Sequence, residues 1–124
     1  MIGYTCIGTN DKPRAMAFYD PLLGLLGAKR FYETERGVGW GISPDQPMFA
    51  VNTPFDGAAA TVGNGSMVAL SVPSQAHVQT MYAKALQLGA RDEGAPGPRG
   101  GGFYGAYFRD LDGNKLAVFC YTGS

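Results

Sequence analysis

The strongest constraint on what this chain can fold into is that its second half repeats the order of its first. Tyr4, Asp11 and Phe18-Tyr19 align with Met67, Ser74 and Met81-Tyr82 at a constant spacing of 63 residues. Leu26-Gly27-Ala28-Lys29 then aligns with Leu88-Gly89-Ala90-Arg91 at 62, which predicts one slipped residue inside the first helix near Pro21. A fixed offset of half the chain marks the internal duplication of one supersecondary unit.

The content of that unit follows from periodicity. Residues 2–8 are β-rich. Asp11 is placed to cap a helix, with Pro13 in its first turn where a missing N–H costs nothing. Ala15, Phe18, Leu22, Leu25 and Leu26 recur at helical spacing, and Gly27 supplies the stop. Residues 29–35, 38–42 and 48–52 predict three short strands. Residues 53–66 are polar and rich in Gly and Ala, as a linker would be. The order then recurs, with a strand over 67–72, Ser74 as N-cap, and a helix over 75–88 that puts Val78, Met81, Ala85 and Leu88 on one face. Gly89 ends it. Residues 94–102 predict a flexible loop, a lid or rim, and Phe103–Arg109 with Lys115–Tyr121 predict a closing hairpin turned at Asp112-Gly113. The fold class is therefore α+β, tandem βαβββ modules in a single domain: module 1 about 1–53, linker about 54–65, module 2 about 66–124.

Composition removes several functions. Ten basic and ten acidic side chains cancel, leaving no electrostatic footprint for nucleic acid or an anionic membrane. No apolar run approaches the about 20 residues that a membrane span needs. The N-terminus enters a strand at once, without the apolar run of a signal peptide. A cytoplasmic location is expected, with Cys6 and Cys120 as free thiols.

Most chemistry-bearing side chains have a structural explanation. His77, the one histidine, sits beside an N-cap on a surface helix and is expected to be solvated. Glu33 and Glu35 share a strand face and guard a sheet edge. Asp110 and Asp112 belong to a turn in which carboxylates cap backbone N–H groups. The glycine-rich segment 94–102 lacks the Lys-Ser/Thr ending and following helix of a phosphate-cradling loop, so Arg99 within it reads as a solvated loop side chain. Cys6 has no nearby histidine in the sequence to activate it.

Thr9-Asn-Asp, Ala15-Met-Ala-Phe-Tyr19 and Leu26-Gly-Ala early, with Arg109-Asp-Leu-Asp-Gly-Asn-Lys-Leu116 late, resemble the vicinal-oxygen-chelate superfamily. That group includes glyoxalase I, bleomycin-resistance proteins, fosfomycin-resistance enzymes and extradiol dioxygenases. The resemblance covers essentially the whole chain, with Leu111 where Pro is usual. It implies two sheets curled into a cup, helices outside, ligands inside and a homodimer. Period-2 alternation then puts Val68, Leu70, Val72, Leu116, Val118 and Cys120 under a helix. It turns Ile2, Tyr4, Cys6, Met48, Ala50, Asn52, Met67, Ala69, Ser71, Lys115, Ala117, Phe119 and Tyr121 toward the cup. Trp40 is expected to border it. Tyr104 and Phe108 join if the hairpin turns at Asp112-Gly113, and a register change of one residue substitutes Phe103 and Tyr107.

Metal-dependent members of that superfamily take His or Glu from one position on each of four strands. Those positions fall on Tyr4, Ala50, Met67 and Ala117 here. Alanine supplies no donor, a thioether is soft, and a neutral phenol is a poor ligand. No metal site and no cofactor are expected. The leading expectation is a metal-free protein binding an apolar or aromatic small molecule, through Tyr4, Cys6, Trp40, Met48, Ala50, Met67, Ala69, Tyr104, Phe108, Ala117 and Phe119, as the bleomycin-resistance branch sequesters its ligand. Two alternatives stay open: an enzyme of lyase or isomerase type using Tyr4, Cys6 or another cup residue without metal, and a non-catalytic interaction paralogue with a self-filled cup.

Overall fold

Asp11 and Ser74 begin the two helices in the same way. In a computed structural model that describes residues 1–122, the Asp11 carboxylate accepts from the Arg14 amide at 3.0 Å and the Ser74 hydroxyl from the His77 amide at 3.3 Å. Each cap satisfies one of the amides that a helix's first turn leaves unpaired. From them run α1 (Lys12–Gly24) and α2 (Gln75–Gln87). Ala15, Phe18 and Leu22 are buried in α1, and their counterparts Val78, Met81 and Ala85 are buried in α2. The spacing of 63 thus survives past Pro21. The slipped residue lies in the closing turn, residues 25–27 after α1 but only 88–89 after α2. Gly27 and Gly89 adopt φ of 79° and 107°, the left-handed conformation that lets Ala28 and Ala90 reach back to the carbonyls of Leu23 and Ala85 at 3.2 and 2.9 Å.

The strands are β1 (Tyr4–Gly8), β2 (Lys29–Glu33), β3 (Gly37–Gly41), β4 (Met48–Asn52), β5 (Val68–Ser71), β6 (Arg91–Gly100), β7 (Phe103–Arg109) and β8 (Lys115–Tyr121). The order βαβββ occurs twice, and the fold is α+β. Two compact units result, the first ending at Asn64 and the second beginning at Gly65. The first holds a mixed sheet of order β1-β4-β3-β2, with β1 parallel to β4. The second repeats it as β5-β8-β7-β6, with β5 parallel to β8. Residues 53–67 form no strand or helix, but Asn10 clamps their course. Its side chain accepts from the Ala60 amide at 2.7 Å and donates to the Ala60 carbonyl at 3.3 Å.

Register decides which side chains each helix covers. In the first unit Trp40 pairs with Phe49 and Val38 with Val51. Trp40 lies 5.7 Å from Tyr19 of α1 and 6.2 Å from Phe49, ring centre to ring centre, and is 2% exposed. Its indole N–H donates to Asp20 at 2.8 Å. The expectation that Trp40 borders a ligand site is therefore corrected. β3 alternates Trp and Val with Gly, and only the bulky set can fill the space beneath α1.

In the second unit the turn spans residues 110–114, with Arg109 opposite Lys115. The Asp110 carboxylate accepts from the amides of Asp112 and Asn114 at 2.9 Å each, and from the Asn114 side chain at 3.1 Å. This capped five-residue loop shifts β7 by one residue from the register of a tight Asp112-Gly113 turn. Tyr104 and Phe108 therefore go beneath α2 and leave the expected site. Phe108 is fully buried, and the Tyr104 hydroxyl accepts from Gln79 of α2 at 2.9 Å.

The expected loop over 94–102 is also corrected. Most of it belongs to β6, which pairs antiparallel to β7 with register shifts on both sides of Gly97. As the outer strand of its sheet, β6 tolerates Pro96 and Pro98 without breaking a central ladder.

Candidate functional site

The side of each sheet away from its helix carries the candidate site residues. In the first unit Tyr4 pairs with Met48 and Cys6 with Ala50, on the face opposite Phe49, Val51 and Trp40. Tyr4 and Cys6 are exposed, whereas Ala50 is fully buried. On the same face, β2 carries a bulge between Arg30 and Tyr32. A bulge places two consecutive residues on one face, so both Phe31 and Tyr32 lean over β3. A methyl at Gly39 would overlap the Tyr32 ring, and one at Gly41 would come within 2.6 Å of Phe31. The glycines of β3 are therefore seats for aromatic rings. Strict alternation could not find these two residues; the glycine run was the available signal.

Cys6 is held but not activated. The Asn52 amide donates to its sulfur at 2.6 Å. Desolvation pushes the thiol pKa up, against the opposing charge of Arg36 and the Asn52 bond. Desolvation also raises Tyr32, with Cys6 and Tyr4 nearby adding to the shift. Both shifts favour the uncharged forms of the thiol and the phenol.

In the second unit Ala69 pairs with Ala117 and Ser71 with Phe119. The corrected register adds Tyr107 beside Ala117 and Phe103 beside Tyr121. Phe103 and Phe119 stack at 5.0 Å with planes 8° apart. Tyr121 stands edge-on to both, at 5.8 and 5.9 Å. Met67 and Tyr121 are exposed, and Ala117 is fully buried. Of the expected ligand residues, Tyr4, Cys6, Met48 and Ala50 thus share one face of the first sheet, and Ala69, Ala117 and Phe119 one face of the second, with exposed Met67 just before β5. Trp40, Tyr104 and Phe108 belong to neither.

His77 and Glu33 are engaged elsewhere. His77 Nδ1 lies 2.7 Å from the Ser74 hydroxyl at the helix start. Glu33 is paired with Lys12 at 3.0 Å and with Arg30 at 3.1 Å, on the edge strand β2. Among the described residues, no three of His, Cys, Asp and Glu come together in a way that could hold a metal ion. No helix among them is long and apolar enough to cross a membrane.

Two βαβββ units, each a mixed four-stranded sheet with one helix, define a tandem-module α+β fold. A family model described as Glyoxalase/Bleomycin resistance protein/Dioxygenase superfamily matches residues 1–118. The chain belongs to this superfamily. It is similar to a crystal structure of a glyoxalase/bleomycin resistance protein from Albidiferax ferrireducens, 33% identical, covering 97% of this chain and 98% of that one with a TM-score of 0.89. A lactoylglutathione lyase from Agrobacterium tumefaciens shares the fold at 19% identity and a TM-score of 0.72, over 98% of this chain and 94% of that one. A putative glyoxalase from Bacillus halodurans does so at 18% and 0.78, over 97% and 95%. No curated protein matches the chain.

The metal that many superfamily members hold does not fit these residues. At the positions the resemblance implies, the first unit offers Tyr4 and Ala50 and the second Met67 and Ala117. Two alanines, a thioether and a phenol do not make a hard or borderline donor set.

Proposed function

We propose that this chain is a metal-free, non-catalytic binder of aromatic or apolar small molecules, sequestering a drug or metabolite on the open faces of its sheets. Tyr4, Cys6, Met48 and Ala50 line one face. Met67, Ala69, Ala117 and Phe119 line the other, where Phe103 and Tyr107 take the places first given to Tyr104 and Phe108. The observation that carries the reading is the Phe103–Phe119–Tyr121 ring cluster beside Ala69 and Ala117. It supplies flat apolar surface and, through Tyr121, a phenol hydroxyl for orientation. A protonated Cys6 thiol and a donor-poor set of metal positions support binding over turnover. A homodimer in the cytoplasm, with both thiols reduced, completes the proposal.

Thermal unfolding against a panel of neutral aromatic compounds tests it. A ligand at 100 times its Kd should raise stability by about 2.7 kcal/mol, and Phe119→Ala should abolish that gain. Absence of stabilisation by any aromatic compound would overturn the reading. Time-dependent consumption of a hit would replace it with an enzyme.

A further inference from the structure

On the open face of the second sheet one tyrosine is bracketed by two cations from different strands. The Arg99 guanidinium of β6 lies 5.5 Å from the centre of the Tyr107 ring, and the Lys115 ammonium of β8 lies 5.3 Å from it. Tyr107 pairs with Ala117, the small residue at the middle of the proposed binding face. Resting on the proposed function, we propose that Arg99, Lys115 and Tyr107 form the anion-recognition end of that face, so that the ligand is an aromatic or apolar molecule carrying a carboxylate, sulfonate or phosphate.

The charge inventory around Tyr107 supports this. Of the cations on this side of the sheet, Arg109 is spoken for: its Nε donates to Glu93 at 2.6 Å and its Nη1 to the Gly113 carbonyl at 3.1 Å. Glu93 has Arg109 as its principal partner, with Lys115 and Arg91 contributing less to the lowering of its pKa. Among the described residues, neither Arg99 nor Lys115 forms an ion pair. Arg99 uses Nη2 on the Ala95 carbonyl at 2.7 Å, which fixes the guanidinium while leaving its other N–H groups available. A fixed guanidinium loses little freedom on binding an anion, and its planar fork matches an oxyanion. The Tyr107 ring holds both cations through its π face and carries a hydroxyl that can donate to the same anion. Two residues along β8 from Ala117 stands Phe119, stacked on Phe103. The face therefore presents a cationic end and an aromatic end, the complement of an aryl or alkyl acid.

The pair 2-naphthoate and 2-naphthamide, alike in shape and differing in charge, tests this by calorimetric titration of the full chain. The anion should bind about tenfold more tightly than the amide at low salt, the gain expected of a charge-assisted contact. That preference should shrink as salt is raised. Arg99→Gln and Lys115→Gln should each cut the preference several-fold while leaving 2-naphthamide affinity within about twofold, and the double variant should remove it. Arg99→Lys, which keeps charge but not the fork, should fall between. If Arg99→Gln loosens β6 through the lost Ala95 contact, Lys115→Gln still reads the preference on an intact edge. Equal affinity for the two probes, or a preference that survives in the double variant, would overturn anion recognition and leave aromatic binding standing. Binding of neither probe would overturn both.

Discussion

Asp20 shows how one carboxylate ties a surface pair to the core. Arg30 reaches it through Nε at 3.0 Å and Nη2 at 2.5 Å, while the buried Trp40 donates its indole N–H at 2.8 Å. The Arg30 bonds are the largest cause holding the Asp20 pKa below its ordinary 3.8, and the Trp40 bond adds to them. Glu33 and Glu93 are lowered in the same sense, by Lys12 and Arg109 first. A folded-state pKa below the unfolded one means that the unfolded chain binds more protons in this range. The contribution is complete above pH 4.5 and fades as pH falls through and below 3.8. Urea midpoints measured from pH 6 to pH 2.5 should fall along this course, and Asp20→Asn should flatten it. A slope unchanged in Asp20→Asn would show that the Arg30 pair contributes nothing, the common fate of exposed ion pairs. Cys6 gives a second outcome at this scale. It is exposed while Cys120 is buried, so one thiol per folded chain should react with an alkylating reagent. Because desolvation raises the Cys6 pKa, the rate should reach half its plateau above pH 9.0, the ordinary value. A midpoint near neutrality would mark an activated thiolate and reopen the nucleophile reading.

At the scale of elements, the two β7 registers assign opposite fates to neighbouring tyrosines. Tyr104 bonds to Gln79 beneath α2, while Tyr107 stands on the open face. Tyr104→Phe should cost about 1 kcal/mol through the lost hydrogen bond, whereas Tyr107→Phe should change stability by less than about 0.5 kcal/mol. Phe108→Ala should cost about 3–5 kcal/mol, as the loss of a fully buried ring does. Chemical denaturation of the three variants reads the register directly, and a reversed order of the two tyrosines would restore the tight turn. Much of the architecture was legible beforehand, because caps, helical stops and the repeat are local signals. The caps at Asp11 and Ser74, the ends of β7 and β8, and the alternating faces of β1, β4, β5 and β8 all follow from short-range chemistry. What the sequence concealed depends on partners. A segment with Pro96 and Pro98 looks like a loop until the aromatic-rich β7 offers it a pairing edge. Trp40 looks like a ligand wall until its glycine neighbours on β3 are filled by Phe31 and Tyr32. The turn length at 110–114 was fixed by the Asp110 carboxylate reaching amides two and four residues on, and hairpin signals based on Asp-Gly alone miss it.

For the whole molecule the open question is what covers its exposed apolar side chains. Ile42 and Phe55 are 51% and 88% exposed and are not among the proposed ligand residues. The Arg36 guanidinium lies 5.1 Å from the centre of the Phe55 ring. Placing two such side chains in water forfeits the gain of burying them, about 1.5–3 kcal/mol each. A chain with ten charges of each sign also has no net charge to keep copies apart. The proposed homodimer answers both points, since a second copy can remove these side chains from water at no electrostatic cost. Sedimentation velocity at micromolar concentration should then give a mass near twice 13.1 kDa. Ile42→Ser and Phe55→Ser should each shift the population toward the single-chain mass, while Tyr107→Phe, on the open face, should not. A wild-type mass of 13.1 kDa would remove the homodimer and leave the proposed aromatic binding to a single chain. A dimer unaffected by either serine variant would move the interface elsewhere on the surface. If the ligand screen also yields a hit, its stoichiometry sharpens the result: one molecule per chain in the dimer, retained in Phe55→Ser, separates subunit contact from ligand contact.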